Sequence, residues 1–355
     1  MALRVRHLPA ACALAALLAA LFPVLLPRAA AQGAGTVPVP VAGQAGARPR
    51  DTVPPTLAEM VETERMFAQR AMVVGWKQAF LEYFSESAVG YEDGAVGPAK
   101  EQVRNSPDPP PEHQLLWDPR YGDVAGSGEL GYLTGPSRNI LPSRNNGQPR
   151  HGAYASVWKR ERDGRYRVLI DIGVPTPRAP AFTETFTRAP YANRFTGDYD
   201  ERTPPLGAAD GVLNSDLKTS VPRAYRGRLA PGVRFHRPGV MPIAGEAAAL
   251  KWLASQPRFA QVDSRFSESA QSGDMGYTWG TWTRRVVAPA RGTAPSGGSP
   301  PPGGSPPPGA TPPTGRGGRA SGGRSTPPQQ ETGFYVRVWV REKSGQWVVA
   351  LDVLN

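Results

Sequence analysis

Four carboxylates and a matched pair of strand residues are the side chains best placed to do chemistry in this chain. Glu64 lies one helical repeat of the apolar pattern beyond Leu57, so it falls on the inward stripe of a predicted helix. Asp210 holds nearly the same place in a second copy of that segment, allowing a slip of one residue. Stripped of water, such a carboxyl rises toward the pKa range of a general base. The alternative, and the expected role, is a structural acid satisfied by backbone amides or by an arginine. Asp171 and Asp352 recur on the last predicted strand of each copy. Their recurrence points to a shared structural duty, such as closing a sheet edge or pairing with Arg160 and Arg341. Tyr91 and His236 also match in position, with Glu92 and Arg237 next to them on the opposite side of the strand.

Other chemistries are excluded by residue type. His113, His151 and His236 show no His-x-x-x-His spacing, so no metal site is expected. The single cysteine, Cys12, removes thiol catalysis and disulfides from the rest of the chain. There is no Gly-x-Ser-x-Gly elbow, Walker loop or dinucleotide fingerprint, and no cofactor is expected. Gly122-x-x-x-Gly126-x-Gly128 joins two strands and opens no helix.

The elements that must position these residues begin after a leader. Arg4, Arg6 and His7 precede a Leu- and Ala-rich run over 8–26, followed by Ala29-Ala30-Ala31. This order reads as a signal peptide over 1–31, cleaved after Ala31, and a periplasmic or secreted protein with no transmembrane segment after cleavage. The formal net charge is +11, and Arg4, Arg6 and Arg28 supply three of those charges. Forty Gly and 40 Pro are too many for one compact core, and they concentrate in two tracts. Residues 32–55 read as a flexible linker. Residues 289–330 read as a disordered Pro/Gly-rich insertion, and no nucleic-acid partner is expected from its scattered arginines.

The remaining sequence repeats itself. Gly75–Gly135 lies on Ser220–Gly280 at an offset of 145. Gly152–Val174 lies on Gly333–Asn355 at an offset of 181, with nine of 23 positions identical, among them Tyr154, Trp158 and Asp171. The insertion accounts for the change of offset. The first copy is therefore read as 56–175, a connector or added strand as 176–204, and the second copy as 205–355. Within a copy the order is helix, helix, short strand, short helix and long antiparallel strands, with Asp163-Gly164 and Ser344-Gly345 as hairpin turns. That order describes an α+β unit in which a curved antiparallel sheet wraps the N-terminal helices around a conical hollow.

Glu64-Arg65-Met66-Phe67-Ala68, Ala79–Phe84, Phe235-His236-Arg237-Pro238-Gly239, and Gly152-x-Tyr154 or Gly333-x-Tyr335 running to the final Asp resemble the nuclear transport factor 2-like superfamily. These are the ketosteroid-isomerase-like or cystatin-like cones, and the nearest look is to a branch without assigned function in the region of the polyketide cyclases. The resemblance implies two tandem cones, each with a pocket for a small molecule. It places Tyr91, Trp117, Tyr132, Tyr154, Trp158, His236, Trp279, Tyr335 and Trp339 as pocket residues, and Glu64 and Asp210 as the bases if the cones are catalytic. The leading expectation is an exported protein that binds a small apolar or extended ligand without catalysis. The alternatives are an isomerase, dehydratase or hydrolase with a buried carboxylate base, and an envelope interaction module. Self-association through the sheets is the expected partner relation.

Overall fold

The computed structural model describes residues 55–191, 194–197, 204–285 and 330–355. The proposed leader, nearly all of the linker and the Pro/Gly-rich tract over 289–329 lie outside the described residues. No helix among the described residues is long and apolar enough to cross a membrane.

In the first half, α1 (Pro55–Val74) and α2 (Trp76–Tyr83) are separated by Gly75, whose φ of +83° a side chain would rarely adopt. Helix α1 turns Leu57, Met60, Val61, Glu64, Phe67 and Ala71 inward at helical spacing, and all six are buried. A short hairpin follows, β1 (Val89–Glu92) with β2 (Ala95–Pro98), then α3 (Ala99–Asn105). The main sheet is built from β3 (Gln114–Trp117), β4 (Tyr121–Val124), β5 (Leu130–Ile140), β6 (Arg150–Arg160) and β7 (Tyr166–Pro175). Connector residues Thr187–Arg188 form β8, which pairs parallel with β4 at the edge.

The second half repeats the plan. Helices α4 (Leu206–Leu217) and α5 (Val221–Tyr225) precede β9 (Leu229–His236), β10 (Ile243–Ala244) and α6 (Glu246–Leu253). Strands β11 (Gln261–Ser269), β12 (Met275–Arg285), β13 (Gln330–Arg341) and β14 (Trp347–Leu354) complete a sheet ordered β10-β9-β14-β13-β12-β11. The correspondence extends to irregularities: a bulge at Val157/Trp158 has its counterpart at Val338/Trp339. Gly135 and Gly280 also match. A Cβ at either would stand about 2 Å from a backbone oxygen, of Asp118 or Asp263, so only glycine lets the sheet bend there.

The central strands β6, β7, β13 and β14 are largely buried on both faces, because the middle of each sheet is covered twice, whereas the edge strand β11 is largely exposed. One face wraps its own helices, forming two cone cores around Phe67 and Trp158 in the first half and Leu213 and Trp339 in the second. The opposite faces of the two sheets pack against each other through Val157, Ile170 and Ile172 on one side and Val336, Val338 and Leu351 on the other. The faces expected to support self-association are thus occupied within the chain.

The joint between halves has the reciprocity of a two-fold axis. Ser127 and Ser272 are counterparts, and each backbone N–H donates to the other's hydroxyl, at 3.0 and 3.1 Å. Gly126 N donates to Asp274, while Gln271 N donates to Glu129; both members of each bond are again counterparts. Such mutual contacts are the mark of an isologous interface, here enclosed in a single chain.

The halves differ at one strand. In the second, β9 pairs parallel with β14 from Leu229 to His236. In the first, the equivalent pairing survives only as the Phe84–Val168 bridge. Strand β1 then leaves the sheet for its own hairpin, and Tyr91 stacks on Phe334 of the other half, ring centroids 5.6 Å apart.

Candidate functional site: a cleft at the mouth of the second cone

Strand parity decides what faces each hollow. On β6, Tyr154, Ser156 and Trp158 point into the first cone; on β13, Tyr335, Arg337 and Trp339 point into the second. These triplets are counterparts, and the exchange of Ser156 for Arg337 reorganises everything around them.

In the second cone Arg337 is a buried cation between two buried acids. Its Nη1 donates to Asp210 Oδ1 at 2.6 Å and to Asn214 Oδ1 at 2.6 Å, and its Nε donates to Asp352 Oδ2 at 2.9 Å. Tyr335 Oη and Asn214 Nδ2 donate to Asp210 Oδ2, and Thr278 Oγ1 donates to Oδ1. Asp352 also accepts from Tyr225 Oη at 2.6 Å and from Arg237 Nη2 at 2.7 Å. Burial alone would push the Asp352 carboxyl up, but the Arg237 and Arg337 guanidiniums hold it below the ordinary range. Asp210 is thus bonded by an arginine, the arrangement expected of a structural acid. Asp352 pairs with Arg337 and Arg237, not with Arg341 as expected: Arg341 lies over the Phe195 ring at the far end of β13.

The first cone holds the same acid without a cation. Glu64 is 0% exposed. It accepts from Trp117 Nε1 at 2.6 Å, Ser156 Oγ at 2.6 Å and Trp158 Nε1 at 2.7 Å, so indoles replace the expected amides or arginine. Trp117 stands where the second cone has Val262, and its bulk takes up the volume that Ser156 gives back relative to Arg337. Burial pushes Glu64 up, and these three hydrogen bonds only partly offset the effect. Asp171 loses every counterpart of the donors to Asp352, since Ser156, Glu92 and Phe80 stand for Arg337, Arg237 and Tyr225. Half-buried and unpaired among the described residues, it is pushed well up by burial and by Glu64 nearby. Arg160 instead pairs with Glu59. Tyr154 Oη, whose counterpart Tyr335 bonds Asp210 and Asn214, is buried with no partner among the described residues.

The mouths of the cones differ as sharply. In the first, Trp76 packs edge-on against Phe80 at 5.7 Å and donates to His113 Nδ1 at 3.2 Å, while His113 Nε2 bonds Asn139 Oδ1 at 3.0 Å. That clamp stands where Val221 borders the second cone's cleft, and an open groove of about 580 Å³ runs beside it past Gly75, Lys77, Gln78 and His113. In the second, Val221 replaces Trp76, and a cleft of about 320 Å³ opens. Tyr225, Trp252, Phe259 and Trp282 form its aromatic walls, and Arg237 and Arg284 supply its cations. Arg284 is tied to Glu331 at 2.7 Å and lies over the Trp282 ring. A pocket of this size suits a molecule of one or two fused rings, near the lower end of ligand-site volumes.

None of the nine aromatic and histidine residues expected to line pockets borders this cleft. Trp117, Tyr154 and Trp158 fill the first cone; Tyr335 and Trp339 fill the second. Tyr91, Tyr132, Trp279 and His236 face the layer between the sheets. Tyr132 Oη bonds Tyr191 Oη at 2.6 Å, and Trp279 packs on Phe334. His236 Nε2 lies 2.9 Å from Thr134 Oγ1 of the first half, and burial, with Arg234 and Arg237 nearby, lowers its pKa to about 3. The residue one place on, Arg237, is the one that reaches the cleft. A shift of one residue along a strand reverses the face, which is why the neighbouring side chain carries the role. Trp252, Phe259 and Trp282 carry no motif: they lie in α6, before β11 and within β12, and meet only on folding.

No protein-family model matches the chain, and no curated protein sequence does. Solved structures similar to parts of it include three from other organisms. An NTF2-like protein with a cystatin-like fold from Novosphingobium aromaticivorans is 16% identical, covering 33% of this chain and 79% of that one, with a TM-score of 0.27. A candidate ketosteroid isomerase from Parabacteroides distasonis is 13% identical over 34% of this chain and 90% of its own, TM-score 0.27. A CamKII hub homology domain from Chlamydamonas reinhardtii is 14% identical over 33% and 95%, TM-score 0.26. By its own element order, each half of the chain is a curved antiparallel sheet wrapped around its N-terminal helices.

Proposed function

We propose that this is an exported ligand-binding protein whose second cone holds a small, largely apolar molecule without chemistry, while the first cone serves as its packing partner. The observation that carries this reading is the contrast between mouths: an aromatic cleft of about 320 Å³ on the second cone, and the Trp76–His113 clamp across the first. The buried acids support the non-catalytic part, because Asp210 is neutralised by Arg337 and lies outside the cleft lining. Export rests on the leader sequence. The test is a thermal-shift screen with apolar aromatic compounds on the wild type, Trp252→Ala, Glu64→Gln and Asp210→Asn. Compounds that stabilise the wild type should fail on Trp252→Ala and still act on Glu64→Gln. Shifts lost with Glu64→Gln but kept in Trp252→Ala would refute the assignment.

One observation favours a second reading, an isomerase, dehydratase or hydrolase in the first cone. Tyr154 Oη is unpaired, and Glu64 and Asp171, both pushed up by burial, are its electrostatic neighbours. Against it stands the complete enclosure of Glu64 by Trp117, Trp158 and Ser156. Turnover of any compound by the wild type, abolished in Glu64→Gln, would establish this reading in place of the first.

A further inference from the structure

Arg237 uses only one edge of its guanidinium within the protein. Nη1 donates to the backbone oxygens of Asp352 at 2.8 Å and His236 at 2.9 Å, and Nη2 donates to Asp352 Oδ1 at 2.7 Å. A guanidinium carries five N–H bonds in a fixed plane. The Nε–H and the second Nη2–H therefore project side by side from the other edge, and no described residue accepts from Nε. Nor is Nε among the polar atoms sealed from solvent without a partner. The side chain is 7% exposed, and it lines the cleft. Its plane is held over the Phe235 ring at 4.9 Å and over Trp252 at 5.6 Å. Arg237 thus carries a rigid pair of donors unclaimed by the described residues, on a side chain that lines the aromatic cleft.

We infer that the ligand of the second cone is an apolar or aromatic monocarboxylate, whose two oxygens accept from the free edge of Arg237 while its ring lies among Trp252, Phe259 and Trp282. This rests on the ligand-binding reading above and specifies its headgroup. Two parallel N–H···O bonds from one guanidinium match the spacing of carboxylate oxygens, and charge assistance makes each stronger than a neutral bond. The side-chain acids nearby are paired with cations, while Asn355, the last residue of the structure, also borders the cleft with its carboxylate. Asp352 is shared by Arg237 and Arg337, and Glu331 is bound to Arg284. A neutral amide of the same shape would place a donor against one of the two N–H groups. A primary ammonium would meet only donors.

The test compares 2-naphthoate with 2-naphthamide on the full chain by calorimetry and by Trp emission at pH 7. The acid should bind at least tenfold more tightly than the amide, and the preference should fade as pH falls through the carboxyl pKa of the ligand, about 4. Arg237→Lys keeps the charge and removes the paired donors; the acid-to-amide ratio should drop to within threefold. Melting of Arg237→Lys is recorded alongside. If that variant does not fold, the wild-type ratio and its pH dependence decide. Equal affinity of acid and amide would overturn the headgroup assignment and leave the cleft as an apolar site. Binding of neither compound, in a protein that also gives no shift in the aromatic screen, would remove the ligand-binding reading itself.

Discussion

Replacing Arg337 with methionine is the perturbation that bears hardest on the structural role of the buried acids. Arg337 and Asp210 are 1% and 0% exposed and 2.6 Å apart, so removing the guanidinium leaves a carboxylate buried without its cation. Asp352 would keep Arg237 and Tyr225, but Asp210 would be left with the neutral donors Thr278, Asn214 and Tyr335. Removing one partner of a buried ion pair typically costs about 3–5 kcal/mol, because the surviving charge stays desolvated. The first cone supplies a control. Ser156→Ala removes one neutral donor from Glu64, a loss of about 1 kcal/mol. Urea unfolding at pH 7, followed by both Trp emission and far-ultraviolet circular dichroism, reads the difference. Arg337→Met should lie about 3 kcal/mol or more below the wild type. The double variant Arg337→Met with Asp210→Asn should recover much of that loss. A cost under about 1 kcal/mol, or a double variant no better than the single, would refute the reasoning.

Three further outcomes follow from the same geometry. Glu64 titrates above its unfolded value in the folded chain, so its favourable contribution is complete at low pH and is lost as pH rises through the folded pKa. The melting-temperature difference between Glu64→Gln and wild type should therefore grow in the variant's favour from pH 4.5 to 7.5; a constant difference would contradict it. His236 works in the opposite sense, being lowered to about 3 from an unfolded value of 6.5. Its neutral form supports the fold above pH 6.5, and stability should fall by about 1.4 kcal/mol per pH unit below that. His236→Asn should flatten this limb of a urea-midpoint profile, and an unchanged limb would count against the placement. Mass spectrometry of protein recovered from the cell exterior or periplasm should give an N-terminus at Gln32; retention of the full leader would remove the export proposal.

The fold was readable because two independent signals agreed: an internal repeat with fixed offsets, and alternation that changed from helical to strand period at the same places in both copies. The site was less readable because alternation reveals two faces without saying what covers each. Phe334-Tyr335-Val336-Arg337-Val338-Trp339-Val340 reads as alternation in a half-buried sheet, yet all seven residues are buried. The aromatic face suggested a pocket, yet Tyr335 and Trp339 are core, and the Val face meets the other sheet. The exchange of Arg337 for Ser156 stood in plain view at the 181-residue offset. What it meant depended on Asp210 and Trp117, far apart in sequence and adjacent only after folding. The cleft depended on a similar pair of distant exchanges, Trp76 for Val221 and Ser137 for Trp282. Neither carries a motif.

The most direct test of the account is a two-dimensional NMR spectrum of the indole N–H groups during titration with 2-naphthoate. Eight tryptophans give eight probes, distributed over the first cone, the second cone, the layer between the sheets and the cleft. The account predicts that the Trp252 and Trp282 signals move together with the binding isotherm, while those of Trp117 and Trp158 stay fixed. Movement of Trp117 and Trp158 with Trp252 and Trp282 unmoved would place the functional hollow in the first cone and contradict it.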